Sequence, residues 1–321
     1  MPGGRRRMTG GGVRRRTLVA GGAGLAVLAA CDADRGEASG TLRIATGSRA
    51  AVYYAYGSAI ARLAGQYLPD VQASVLETAA SDDNVHRVLV GTAELAFTQA
   101  DIAGSAATTA PNQLAALARI YDDYVHLVVR RGGPIASVAD LQGRRVSVGA
   151  QGSGTGITAN RILDTLGADF KSRVTRRELN VEDSAAALER GEIDGFFFSG
   201  GLPVGAIEQL AKRFPIALVA LDKHIPQLRV HGDYYAERLV PASTYRGISP
   251  TVTIGIANYL VVRVSMPEPL AHDVTRLLFE RRDELAKAHQ AAGRLNIRSA
   301  ISTPPLPLHR GAARYYRSQK A

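Results

Sequence analysis

Past residue 40 the chain alternates short apolar runs with stretches whose apolar residues return every three or four positions, which predicts strands followed by amphipathic helices. TLRIAT, from Thr41 to Thr46, predicts a strand, and the helix after it carries Tyr56, Ile60, Leu63, Ala64 and Tyr67 on one face. VQASVLE (Val71 to Glu77) predicts a second strand. Ser81 is then expected to cap a short helix with Val85, Val88 and Leu89 on its apolar side, ended by Gly91. ELAFT (Glu94 to Thr98) predicts a third strand.

The same order returns further on. RRVSVG (Arg144 to Gly149) predicts a strand, a turn with Gly152 and Ser153 follows, and Ile157, Arg161, Ile162 and Leu166 lie along the next helix. TRRELN (Thr175 to Asn180) extends again, Ser184 to Arg190 reads as a helix stopped by Gly191, and IDGFFFS (Ile193 to Ser199) closes the unit as a strand. Gly47-Ser48 thus corresponds to Gly152-Ser153, and GTAELAFTQ (Gly91 to Gln99) to GEIDGFFFS (Gly191 to Ser199). Two α/β lobes of similar topology are expected. Ligands of open α/β sheets sit beyond the carboxyl ends of the strands. That places Gly47, Ser48 and Gln99 at one mouth and Gly152 to Thr155, Ser199 and Gly200 at the other, facing each other across a cleft.

VSVGAQGSGTGITANRIL (Val146 to Leu163) reads as strand, glycine-rich turn and helix start, the local form of an anion cradle. A phosphate loop needs a lysine followed by serine or threonine after Gly154, where Thr155-Gly156 stands. Gly152, Gly154 and Gly156 give Gly-x-Gly-x-Gly, not the dinucleotide spacing. The turn instead suits a carboxylate held by backbone amides, with the hydroxyls of Ser153 and Thr155 as further donors.

With 321 residues, 46% of them hydrophobic and 21% charged, the chain is long enough for two lobes with substantial cores. Its formal charge of +10 rests partly on six arginines (Arg5, Arg6, Arg7, Arg14, Arg15 and Arg16) in a 30-residue stretch without acids; beyond them 33 basic residues face 29 acidic ones. That balance is ordinary, and no basic patch interleaved with aromatics points to nucleic acid. The arginines precede TLVAGGAGLAVLAA, an apolar run too short to span a membrane, so residues 1–30 read as a secretion signal. Cys31, the only cysteine, follows Leu28, Ala29 and Ala30 in the way of a lipoprotein cleavage site. Residues 31–40 then read as a tether. Arg15 and Arg16 also resemble a twin-arginine export signal, and Met8 is a second candidate start. No metal and no cofactor is expected: one cysteine and scattered histidines offer no zinc spacing.

Four segments together resemble the TAXI-type solute-binding subunits of TRAP (tripartite ATP-independent periplasmic) transporters: VYYAYGSAIARL (Val52 to Leu63), DLQGRRVSVGAQGSGTGITANRIL (Asp140 to Leu163), GEIDGFFFSGGLPVGAI (Gly191 to Ile207) and LPLHRGAARYYR (Leu306 to Arg317). The resemblance runs from Leu42 to about Tyr316. It implies a two-lobed, type II periplasmic-binding-protein-like fold that closes on a small organic anion, often glutamate or another dicarboxylate, and delivers it to a membrane permease driven by an ion gradient. It implies an extracytoplasmic location with a lipid anchor at Cys31. Ligand contacts carried over are Gly47, Ser48, Tyr53, Gln99, Ser153, Gly154, Thr155, Ser199 and Gly200, with Tyr54 beside Tyr53. The family's glycine-rich run after the first strand is replaced here by TGSRAAVYY, so that Arg49 either enters the cleft to pair with a carboxylate or stands in solvent at the loop.

The expected lobes are residues 41–124 plus 249–321 and residues 125–248, with hinges near 123–126 and 249–253. The helical stretch Glu268 to His289 is expected to pack back on the first lobe. Phe196, Phe197 and Phe198 alternate faces on a strand, so most of them belong to the core. Asp122 and Asp123 read as surface or hinge charges. An enzyme is not expected, since a Gly-x-Ser-x-Gly nucleophile turn is absent. A binding lipoprotein serving an ABC-type importer or a membrane sensor fits the same residues.

Overall fold

The computed structural model describes residues 3–4, 38–49 and 51–319. The chain divides into two units, Met1–Arg35 and Gly36–Ala321, of which the second carries the fold. Apart from residues 3–4, the predicted signal segment lies outside the described residues, as does Cys31.

Three parallel-sheet strands come first: β1 (Gly40–Ala45), β2 (Val71–Leu76) and β3 (Leu95–Gln99), separated by α1 (Val52–Tyr67) and α2 (Ser81–Val90). Helix α3 (Ala100–Thr109) leads into the long strand β4 (Leu114–Arg130). The second set runs β5 (Arg145–Ser147), α4 (Gly154–Asp164), α5 (Ala168–Ser172), β6 (Thr175–Arg177), α6 (Val181–Glu189) and β7 (Gly195–Gly200). After it come α7 (Gly205–Arg213), β8 (Ile216–Leu218), α8 (Ile225–Leu228), β9 (Tyr235–Val240) and the second long strand, β10 (Thr251–Arg263). Helices α9 (Glu268–Glu280), α10 (Arg282–Ala288), α11 (Ile297–Ala300) and α12 (Arg310–Ser318) complete the chain.

The internal correspondence read from the sequence is physical. β1 lies between β2 and β3, and β5 between β6 and β7, all parallel. Each set carries the same clamp at the entry to its inner pair. Arg43 on β1 holds Glu94 at 2.5 Å, Arg145 on β5 holds Asp194 at 2.9 Å, and each acid also accepts its arginine's own backbone N–H, at 2.7 and 2.8 Å. Both pairs are partly exposed and worth little in stability; they fix which residue of one strand stands beside which of the next.

One continuous sheet joins the sets in the order β2-β1-β3-β10-β4-β7-β5-β6, with β8 on β4 and β9 on β10. The two long antiparallel strands change partners midway: β10 pairs with β9 through Thr251–Ile256 and with β3 from Asn258 onward. β4 pairs with β10 up to Tyr124 and with β7 from Tyr124 to Val129. The buried core divides at the same places. Two apolar clusters draw on residues 38–121 and 259–316, and two others on residues 125–256. The C-terminal helices belong to the first half, where Leu270, Val274, Leu278 and Leu285 pack with Ile60 and Leu63 of α1.

One expectation changes. Ser81 is the first residue of α2 and not its cap, because Ala80, at φ 82°, occupies the capping position; the Ser81 hydroxyl turns instead to the Gln99 N–H at 3.3 Å. The stretch around IYDDYVHLVVR is the second part of one 17-residue strand whose two faces are both covered.

Phe97, at the centre of β3, is wholly buried, with its ring 5.0 Å from that of Tyr53 and 5.5 Å from that of Tyr56. Phe97→Ala is expected to cost ~3–5 kcal/mol in urea unfolding, and a loss below ~1 kcal/mol would mean this core is loosely packed.

Candidate functional site

Where the two halves meet at the carboxyl ends of their parallel strands lies a cavity of about 300 Å³. Five helices begin on its wall. Val52 and Tyr53 of α1, Ser81 of α2, Gly154 and Thr155 of α4, Val181 of α6 and Gly205 of α7 all line it. The first N–H groups of any helix have no partner within the helix, and its N-terminus carries roughly half a positive charge. Three of these five starts lack a side-chain cap, their capping positions being Ala51, Ala80 and Val204. The others are only partly capped: Ser153 accepts the Gly156 N–H at 3.0 Å and Asn180 the Asp183 N–H at 2.8 Å. No lysine or arginine lines the cavity among the described residues.

Glycine is required at the α4 start. A Cβ on Gly154 would lie 2.8 Å from Gln99 Cδ and 2.9 Å from Ser81 Oγ, atoms of the opposite half.

The floor is a buried polar cluster. Gln99, from β3, donates through Nε2 to Asp123 Oδ2 at 2.8 Å and to Ser199 Oγ at 2.6 Å. Ser199, from β7, in turn donates to Asp123 Oδ2 at 3.3 Å. Tyr53 donates to Asn258 Oδ1 and lies 3.4 Å from Ser81 Oγ. Asp123 is 3% exposed and Gln99 2%, and Asp123 Oδ1 and Gln99 Oε1 have no hydrogen-bond partner. Burial pushes the Asp123 carboxyl up to about 7, against the hydrogen bonds from Gln99 and Ser199 and the nearby amide of Asn258, which favour the ionised form, while neighbouring Asp122 adds to the rise.

Of the residues predicted for the site, Gly47, Ser48, Tyr53, Gln99, Ser153, Gly154, Thr155, Ser199 and Gly200 line this one cavity. Arg49 is not among them. It ion-pairs with Glu77 at 2.9 Å, with its side chain 74% exposed and its guanidinium 5.5 Å from the centre of the Tyr54 ring. The expected hydroxyl donors are partly used by the fold: Ser153 donates to the Ala150 carbonyl at 2.6 Å, and Thr155 Oγ1 accepts the Ser199 N–H at 3.0 Å. Phe196 and Phe197 are core residues, as alternation predicts, and Phe198 reaches the cavity wall.

Asp123 is the main correction. Asp122 is a half-covered charge held by Arg119 and Arg238, both at 2.7 Å. Asp123, on the opposite face of the same strand, is buried in the site. The signal was present: two adjacent acids in a strand covered on both faces must point to opposite sides, and one of them inward.

A carboxyl whose folded value lies above its unfolded one costs stability once the pH exceeds the unfolded value, and the cost is complete above the folded value. Asp123→Asn is therefore expected to unfold at higher urea than the unaltered protein at pH 8, by ~1–3 kcal/mol, with the advantage gone by pH 4–5. A variant less stable than the unaltered protein at pH 8, with the deficit shrinking toward pH 4–5, would show that Asp123 is ionised and well satisfied.

The model of the NMT1-like family matches residues 44–319. Among solved structures, a protein from Bordetella bronchiseptica RB50 is 16% identical with a TM-score of 0.57, the match covering 88% of this chain and 98% of that one. A putative L-cystine ABC transporter from Listeria monocytogenes is 12% identical with a TM-score of 0.50, over 79% of this chain and 96% of that one. A Xanthomonas citri protein bound to chloride ion is 12% identical with a TM-score of 0.50, over 87% and 95%. The chain belongs to the NMT1-like family and shares the two-lobed α/β fold of these solved structures, with its cavity between the two halves.

Proposed function

We propose that this chain is an extracytoplasmic solute-binding protein that captures a small organic anion and hands it to a membrane permease of the TRAP type, as a TAXI subunit. The observation that carries the reading is the meeting of five helix N-termini around a cavity that, among the described residues, no lysine or arginine lines. Such an arrangement favours a negative group through main-chain donors alone. It holds the ligand at a strength suited to release, with micromolar affinity corresponding to about −8 kcal/mol.

The lobes in this reading are residues 41–124 plus 249–321 and residues 125–248, joined by β4 and β10. The change of strand partners at Tyr124 and Asn258 supports a hinge along those strands. A ligand that touches both lobes stabilises the closed form, and the closed form is what a permease recognises. Anchoring through a lipid on Cys31 keeps the protein at the membrane; no helix among the described residues is long and apolar enough to cross it. An ABC-type importer or a membrane sensor is the alternative recipient, favoured by the fold shared with the putative cystine transporter.

Two outcomes test the capture step. In thermal denaturation with millimolar ligand, at least one organic acid is expected to raise the melting temperature while uncharged sugars do not; if no acid stabilises the protein, anion capture is wrong. Gly154→Ala should weaken binding of that acid at least tenfold, because its new methyl group displaces the Gln99 amide. Unchanged affinity would remove the α4 start from the site.

A further inference from the structure

The charges around the cavity restrict what kind of anion it accepts. Its lining holds two carboxyl groups, Asp123 on the floor and Glu77 toward the mouth; among the described residues Glu77 is ion-paired with Arg49 and Asp123 makes no ion pair. The other charged neighbours are likewise committed: Asp122 to Arg119 and Arg238, and Asp101 on α3 to Arg161 on α4 at 2.6 Å. His289, on the wall, is held below its ordinary value chiefly by burial, and His126, next along β4, is lowered by burial to about 4, so neither supplies a cation near neutral pH. Tyr53 and Tyr121 face Asp123 as neutral phenols, raised chiefly by burial and then by that carboxyl.

An acid entering this space therefore meets the amide ends of the helices and a buried carboxyl that competes for positive potential. Asp123 Oδ2 is already taken by Gln99 and Ser199, whereas Oδ1 is buried without a partner. A proton on Oδ1 removes the repulsion and turns that oxygen into a donor. A second ligand carboxylate has no such remedy. The wall also presents Val52, Leu179, Val181, Phe198, Pro203 and Val204, which give the apolar body of a ligand a surface to cover.

We infer that the cavity selects a monocarboxylate with an apolar body and binds it together with one proton carried on Asp123 Oδ1. This rests on the anion-capture reading and goes beyond it in naming the ligand class and the co-bound proton. The proton comes from solvent, no covalent bond changes, and Asp123 serves as a specificity-determining residue.

Isothermal titration of the purified protein with isovalerate and 3-phenylpropionate, with succinate and leucine as competitors of other charge types, decides the matter. Measured in phosphate and in Tris, whose protonation heats differ, a monocarboxylate is expected to bind with uptake of close to one proton at pH 8 and little at pH 6. Its Kd should rise about tenfold per pH unit above the Asp123 midpoint. Asp123→Asn, which keeps an acceptor for Gln99 and presents an N–H in place of the acid proton, should bind the same monocarboxylate with a Kd flat across pH 6–8. Tighter binding of succinate or leucine than of either monocarboxylate overturns the inference, as does monocarboxylate binding without proton uptake. Either result leaves anion capture standing, whereas failure of every acid removes both.

Discussion

The charge of this cavity is supplied by the backbone. Parallel strands send each chain segment out at the same edge, so the helices that follow them begin there, and two such edges facing each other bring five N-termini to one place. This follows from topology and needs no basic side chain. It also constrains everything else at the site. The glycine at the α4 start has to stay small so that the second half reaches Gln99 of the first, and the turns before the helices have to leave their first N–H groups facing inward. Fixed amide dipoles require no ordering of a long lysine or arginine side chain on binding, which suits a site that has to let go as well as hold.

The same residues serve the cavity floor and the connection between lobes. Asp123 and Asn258 sit at the points where β4 and β10 pass from one core to the other, and Tyr53 and Gln99 reach them from the first half while Ser199 reaches them from the second. Further bonds cross between the halves, among them Gln99 to Ser199 at 2.6 Å, the Asp83 N–H to the Gly152 carbonyl at 3.3 Å, and Arg161 and Tyr235 to the fully buried Asp101 at 2.6 and 2.9 Å. A motion that separates the halves therefore breaks polar contacts whose groups need water or a ligand in exchange. In the proposed reading, binding and closure are linked through that cluster.

Local chemistry made most of the fold readable. Alternating apolar runs gave the parallel strands, Gly91 and Gly191 stop their helices at φ 78° and 72°, and the repeated Gly-Ser turns located both edges of the cavity. What stayed hidden has one cause: the strands that join the halves pair with segments far away in sequence. The partner exchange along β4 and β10 depends on those distant pairings. Of the two places the sequence left open for Arg49, the structure has the solvent-exposed one, because Glu77, 28 residues on, supplies a partner there. Arg161 reads as one of the positions along a helix and instead crosses to Asp101, which no local periodicity encodes.

The central claim, that main-chain amides at helix starts hold the ligand's negative group, is tested most directly by a crystal structure of the protein with a bound organic acid. The account predicts carboxylate oxygens within hydrogen-bond distance of backbone N–H groups at the starts of α4 and its neighbours, with Asp123 Oδ1 beside the ligand. A carboxylate paired with an arginine or lysine side chain, or an acid seated outside this cavity, would contradict it.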